Sequence, residues 1–600
     1  MKEGRNRLIV FIVTVLCFLG ALRNGFVWDD WRLVAGTFGF RALHLRNLRW
    51  MFTTQYFGNY CPLAWLSYAL DYAVWKTDAR GYHLTNLLLH AANAVLFYAL
   101  AARLLRLAFK TAERRQTELG GAVAALIFAL HPLRAESVIW ASERRDVLAG
   151  LFFLGATLSY IKAVSNGTAA APKGRRLAPS VGLFALAALS KATVAPLPLA
   201  LLALDIFPLQ RLTLTTPRKQ AVGLLIEKIP YAVLSAAISL LTINAQRSVG
   251  NLTSLERHGL SSRAAQALYG LGFYLSKTVW PIRLCALYPL PNHLSLLDFR
   301  VAGSAGILLL VLGALRIARV PLQAIAALTW YYAAMLLPVL GFFQNGAQAV
   351  ALRYSYLSCL GWAVLSGGGA VWSARAWRTR PRQAAAVGGA LLLGLISSVV
   401  VTQKEIRVWH DDTSLWENQL RLYPESLNGS INLAAARLKA GDFEGAEARA
   451  RQALRIDPES SEAQCTLAQS LEERGRLEEA IVILKKVLQG REPIAQAHGL
   501  MAWTLIKAGK PEAALPELRV AAALEPGSAQ LQEVLGTMLA ARKQLAEALP
   551  FLQAAVRIEP ENLAYRQTLL EADEALRPSG APGAGSSNID PSRRYRSRID

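Results

Sequence analysis

The chain has 600 residues, of which 53% are hydrophobic, and a positive mean hydropathy of +0.28. A soluble chain of this length divides into several domains and does not average positive hydropathy, so these figures argue against an ordinary soluble protein. The formal net charge of +23 is not a nucleic-acid-binding face. Its Lys and Arg residues crowd into short segments between apolar runs, at 103–115, 162–176, 211–228 and 375–382, the pattern of cytoplasmic loops. Nucleic acid is therefore not an expected partner.

In chain order, Lys2, Arg5 and Arg7 precede the apolar run Leu8–Leu22 with no small-x-small cleavage site, so the segment reads as an uncleaved first span with its N-terminus inside. Further candidate spans lie near residues 83–102, 119–133, 147–163, 178–191, 192–208, 229–244, 301–315, 321–341, 354–373 and 384–403, each set by the length of apolar helix that a bilayer demands. The stretch 263–288 is different. Its apolar part, Ala264–Leu275, is too short to cross, and a crossing there would put Arg375, Arg378, Arg380 and Arg382 outside, against the charge rule. It reads as a re-entrant or interfacial helix. About eleven crossings result, which places everything after residue 404 outside the cytoplasm. The cysteines Cys17, Cys61, Cys285, Cys359 and Cys465 include no CxxC pair, so neither a zinc site nor a disulfide framework is expected.

The first outer loop opens with Phe26-Val27-Trp28-Asp29-Asp30-Trp31. Adjacent carboxylates at a membrane edge suit a general base or a cation site; Asp30 equally suits a helix N-cap before Trp31, with the tryptophans as an interfacial belt. The second outer loop carries His131-Pro132-Leu133-Arg134-Ala135-Glu136, then Glu143-Arg144-Arg145-Asp146, more charge than a plain connector needs. Lys191 and Arg353 stand at further outer edges, where a cation either holds a lipid phosphate or snorkels to water. His44, His83 and His90 have no metal-ligand spacing.

From Pro424 the pattern becomes a repeat. Pro424, Pro458, Pro493, Pro526 and Pro560 recur at spacings near 34, as do Gly441, Gly475 and Gly509, and Ala446, Ala480, Ala514 and Ala548, the tetratricopeptide (TPR) template. Leu563–Leu576 reads as a capping helix and the Gly/Ser/Pro-rich residues 577–600 as a disordered tail. The expected fold is all-α, a polytopic transmembrane bundle over 1–403 followed by a TPR solenoid over 404–576.

Together, the aspartates after the first span, the His-Pro-x-x-x-Glu segment, the later Arg353-x-x-Tyr356 and the C-terminal repeats resemble the transmembrane and TPR repeat-containing O-mannosyltransferases, of the GT-C class of membrane glycosyltransferases. The resemblance implies a GT-C-like bundle and an inverting transfer of a sugar from a polyprenyl phosphate-linked donor to a protein or glycan hydroxyl, on the extracytoplasmic face. It assigns Asp29 and Asp30 to the family's acidic pair and Glu136 to the Glu of the His-Pro loop. Asp146 matches a further acidic position. Lys191 and Arg353 match cations whose usual acidic neighbours are replaced here by Ala192 and Leu352. Arg353 and Lys191, with His131 or Arg134, would hold the donor phosphate, and Asp29 or Asp30 would deprotonate the acceptor. A lipid monophosphate donor needs no metal; a diphosphate would favour a divalent cation between the acidic groups. The repeats would handle a protein or peptide acceptor. The competing reading is a non-enzymatic TPR membrane scaffold for envelope or polysaccharide assembly; a transporter is disfavoured by the absence of evident inverted symmetry. Ala, Leu and Arg richness suggests a bacterial inner membrane.

Overall fold

The computed structural model describes residues 2–37, 39–165, 173–256, 258–291, 294–344, 346, 348–490, 493–560 and 562–576. The tail expected to be disordered lies outside them. The chain forms two compact units, Met1–Leu422 and Tyr423–Asp600. Among the described residues its regular structure is helical apart from one antiparallel pair of short strands, Tyr288–Pro289 and Gln348–Val350.

Among the described residues of the first unit, seven helices are long and apolar enough to cross a membrane: Gly4–Arg23, Ala79–Ala108, Ala141–Ser165, Ile229–Ser248, Phe299–Ile317, Leu322–Val339 and Pro381–Val408. Two bent pairs, Arg114–Leu130 with Pro132–Ile139 (57°) and Leu352–Ser358 with Leu360–Ala376 (56°), raise the count to nine if each is one span. Of the other expected crossings, Ala192–Ile206 is a shorter apolar helix, and Lys173–Ser190 adjoins residues that are not described. The expected re-entrant or interfacial segment begins with a 20-residue helix, Leu260–Val279, which is not among the crossing candidates.

Small residues set the packing. A Cβ on Gly120 would lie 2.7 Å from the carbonyl oxygen of Gly367, and one on Gly121 would lie 2.7 Å from the Ala102 Cβ. The helices carrying these residues therefore approach through backbone. Polar side chains complete the interior: Tyr356 hydroxyl stands 2.8 Å from His90 Nδ1 and accepts from Asn93 at 2.9 Å, while His90 Nε2 donates to the Ala129 carbonyl at 3.0 Å. At the far end of Ala141–Ser165, Lys228 and Arg211 pair with the fully buried Asp205 at 2.7 and 3.0 Å, and Tyr160 donates to it. This tie joins the helix to two neighbours about 20 Å from its charged beginning, by the rise of an α-helix.

The described residues of the second unit stack four helix pairs, Leu427–Lys439 with Phe443–Ile456, Ser461–Glu473 with Leu477–Leu488, Ala495–Lys507 with Pro511–Leu524, and Ala529–Ala541 with Leu545–Ile558, then Leu563–Leu576. The periodic alanines 446, 480, 514 and 548 are all fully buried, which lets the paired helices close. Gly441, Gly475 and Gly509 turn with φ of 77°, 74° and 71°; at the fourth equivalent turn Lys543 takes the same left-handed φ, 64°.

Candidate active site

Pro132 has no N–H to continue the helix Arg114–Leu130, and it forces the residue before it out of helical geometry. His131 accordingly sits at φ −71°, ψ 134°, and its ring Nδ1 caps the new turn by accepting from Leu133 N at 3.2 Å. The bend swings Glu136 into the protein, where it is fully buried. A second turn at 141–143 then starts the helix from Arg144, delivering Glu143, Arg145 and Asp146 to the same region.

These carboxylates meet cations from distant parts of the chain. Glu136 pairs with the Arg353 guanidinium and accepts from the Arg353 amide at 3.0 Å. Glu143 takes Arg145 at 2.8 Å, Lys191 at 2.5 Å and Arg353 Nε at 3.7 Å. Lys191 also reaches Asp146 at 2.9 Å, whose other oxygen accepts from Ser137 at 2.9 Å. Arg353 lies over the Trp140 ring, 5.6 Å from its centroid. Trp140 in turn stacks parallel to Trp28 at 4.8 Å. Pairing of this kind offsets the cost of burying these charges.

The two aspartates of the first loop have different surroundings. Asp30 is fully buried and accepts from Val27 N at 3.2 Å, Ser142 N at 2.6 Å and the Ser142 hydroxyl. Burial pushes its pKa up to about 7, against the pull of those hydrogen bonds. It ties the loop to the turn at 141–143. Asp29 is only half-buried, and among the described residues its carboxylate has no hydrogen bond or ion pair. Desolvation raises its pKa too, opposed by the nearby charges of Arg145 and Arg353. One carboxylate holds the loop, and the other is available at the edge of the charge cluster.

Of the residues singled out in the sequence, Asp29, Asp30, Glu136, Asp146, Lys191 and Arg353 come together. His131 has both ring nitrogens engaged, since Nε2 meets the Thr278 carbonyl at 3.0 Å. Arg134 is buried, with its guanidinium carbon 5.5 and 5.7 Å from the ring centroids of Phe128 and Tyr356. Neither joins the cluster. Its centre, Glu143 with Arg145, carried no assigned role in the sequence reading; its dense alternation of charge beside an apolar run was the available signal. Arg144, between them, turns the other way to Asp71 at 2.5 Å and Asn86 at 2.6 Å. Among the described residues, no three His, Cys, Asp or Glu side chains are grouped so as to hold a metal ion.

The second unit matches the family model of the tetratricopeptide repeat over residues 437–504 and 500–562. This segment is a run of TPRs. The chain is similar to curated relatives over limited stretches only: it is 30% identical to the Homo sapiens protein O-mannosyl-transferase TMTC3 over 166 residues, 26% of this chain and 16% of that one. It is 39% identical to the Mus musculus protein O-mannosyl-transferase TMTC2 over 108 residues, 18% of this chain and 12% of that one. It therefore spans less than a fifth of the length of these two relatives. Among solved structures, a TPR protein of Thermus thermophilus aligns with 31% of this chain and 95% of its own, at 20% identity and a TM-score of 0.25.

Proposed function

We propose that the chain is an inverting membrane glycosyltransferase of the GT-C type. It moves a sugar from a polyprenyl phosphate-linked donor to a hydroxyl of a protein on the extracytoplasmic face, with the TPRs handling that acceptor. The observation that carries this reading is Asp29, a carboxylate with no hydrogen bond or ion pair among the described residues, close to the clustered cations Arg145 and Arg353. The similarity to proteins named O-mannosyl-transferases points to the same chemistry.

The roles follow from the contacts. Among the described residues, Nη2 of Arg353 has no hydrogen-bond partner, because Nη1 is held by Glu136 and Nε faces Glu143. A guanidinium anchored on one edge presents the other to a phosphate without losing its orientation. Lys191 holds two carboxylates and keeps one proton for a phosphate oxygen. Asp29 removes the proton from the acceptor hydroxyl. The acceptor oxygen forms its bond to the sugar C1 as the bond from C1 to the phosphate oxygen breaks, and the polyprenyl phosphate leaves with the electron pair. The cations stabilise the charge that develops on it. Asp30, Glu136, Glu143 and Asp146 hold the turn and the cations in place. A monophosphate donor suits this set, in which amino-acid cations supply the positive charge.

The test is transfer from a panel of polyprenyl phosphate-linked hexoses to a Ser/Thr-containing peptide by the purified full-length protein. Asp29→Asn should lower the rate by about three orders of magnitude, the scale of general-base catalysis. Transfer that survives Asp29→Asn sinks the base assignment.

A further inference from the structure

The turn bearing Asp29 is built from an unfavourable backbone. Trp28 has φ +52°, a region that non-glycine residues enter only when held there. What holds it comes from the other end of the first unit. One oxygen of Asp412 accepts from the Trp28 amide at 2.6 Å, and the other accepts from Trp31 Nε1 at 2.9 Å. A single carboxylate thus grips the residue before Asp29 and the residue after Asp30. The grip is reinforced nearby: Asn24 donates to the carbonyls of Ile406 and Trp409 at 3.0 and 2.9 Å, and Gly25 N donates to the His410 carbonyl at 3.0 Å. Trp416, on the helix Asp412–Leu422, packs edge-on against Trp28 at 5.1 Å. Asp30 fixes the inner side of the same turn to Ser142. Clamped from both sides, the turn leaves Asp29 as its one uncommitted carboxylate.

We propose that Asp412 is a positioning residue that sets the direction of the Asp29 carboxylate by holding Trp28 and Trp31. The inference rests on the transferase reading for its kinetic consequence, but not for its geometry. Without Asp412 the Trp28 backbone relaxes toward negative φ and Asp29 turns away from the cluster, while the donor-binding cations stay where they are.

The experiment compares Asp412→Ala with the wild-type full-length protein by two readouts. The first is the rate at which a water-soluble carbodiimide and an amine label Asp29, followed by peptide mass spectrometry; it should change at least about tenfold. The second is steady-state transfer, in which kcat should fall about 100-fold, the cost of misplacing a reacting group by about an ångström, while the donor KM stays within about twofold. Asp412→Asn, which keeps one accepting oxygen, should recover part of both. Trp31→Phe keeps an aromatic side chain and removes one donor; it should give a smaller change of the same sign and carries the test if Asp412→Ala does not fold. Equal labelling of Asp29 in variant and wild type overturns the proposal whatever the transfer rate. If the wild type transfers no sugar while Asp412→Ala still alters labelling, the transferase reading fails and the positioning role stands.

Discussion

At the scale of single residues, adjacent carboxylates of the same type are separated by what surrounds them. Asp30 binds its proton more tightly in the folded chain, with a pKa near 7, than an unfolded aspartate does. Its contribution to stability is therefore full below about pH 4 and is lost as pH rises through about 7. Thermal unfolding followed between pH 5 and 8 should show this loss, and Asp30→Asn should flatten it. For Asp29, Arg145 opposes the upward push of burial. Arg145→Gln should accordingly raise its pKa and move the acidic limb of the kcat/KM profile to higher pH; a limb that stays in place would separate Asp29 from the rate. The charged residues of the site could be read from the sequence as outer-edge charges, but not as pairs. Glu136 and Arg353 stand 217 positions apart, and only the bend at Pro132 and the approach to Arg353 through the strand Gln348–Val350 bring them together. His131 and Arg134, which share that loop, turn instead to a backbone carbonyl and to aromatic rings, a choice made by packing that no spacing encodes.

At the scale of elements, the repeats were legible because each position does the same local task in every copy. The buried alanines and the left-handed glycines follow the 34-residue template directly. The fourth turn breaks the pattern. Lys543 is exposed and holds φ 64° where its three counterparts are glycine, and such a backbone costs a side-chain-bearing residue about 1 kcal/mol. Lys543→Gly should therefore stabilise the second unit by about that amount, measured as a higher urea midpoint with an unchanged slope. Ser460 caps its helix by accepting from Ala463 N at 3.3 Å, so Ser460→Ala should cost about 1 kcal/mol in the same assay. The membrane helices were less legible. Their existence followed from hydropathy, but Pro132 and the turn at Cys359 divide two apolar stretches into bent pairs, and a composition window does not register a bend.

At the scale of the whole molecule, two regimes of sequence become two compact units, and the helix Asp412–Leu422 falls within the first. It is fastened there by Asn418 and Gln419, which donate to the carbonyls of Leu284 and Leu287 at 3.0 and 2.7 Å. The expected sidedness can be measured simply, because all five native cysteines are buried. Val482→Cys, at an exposed position of the repeats, should react with a membrane-impermeant maleimide in intact cells. Labelling only after permeabilisation would place the repeats in the cytoplasm and remove them from acceptor handling. The parallel stack of Trp28 on Trp140, with ring planes 3° apart, has an optical consequence. Two indoles this close share their excited states, so their ultraviolet circular dichroism should carry a paired signal of opposite signs. That signal is an intrinsic reporter of the loop's seating, and substrate arrival beside Arg353 should perturb it without any label being introduced.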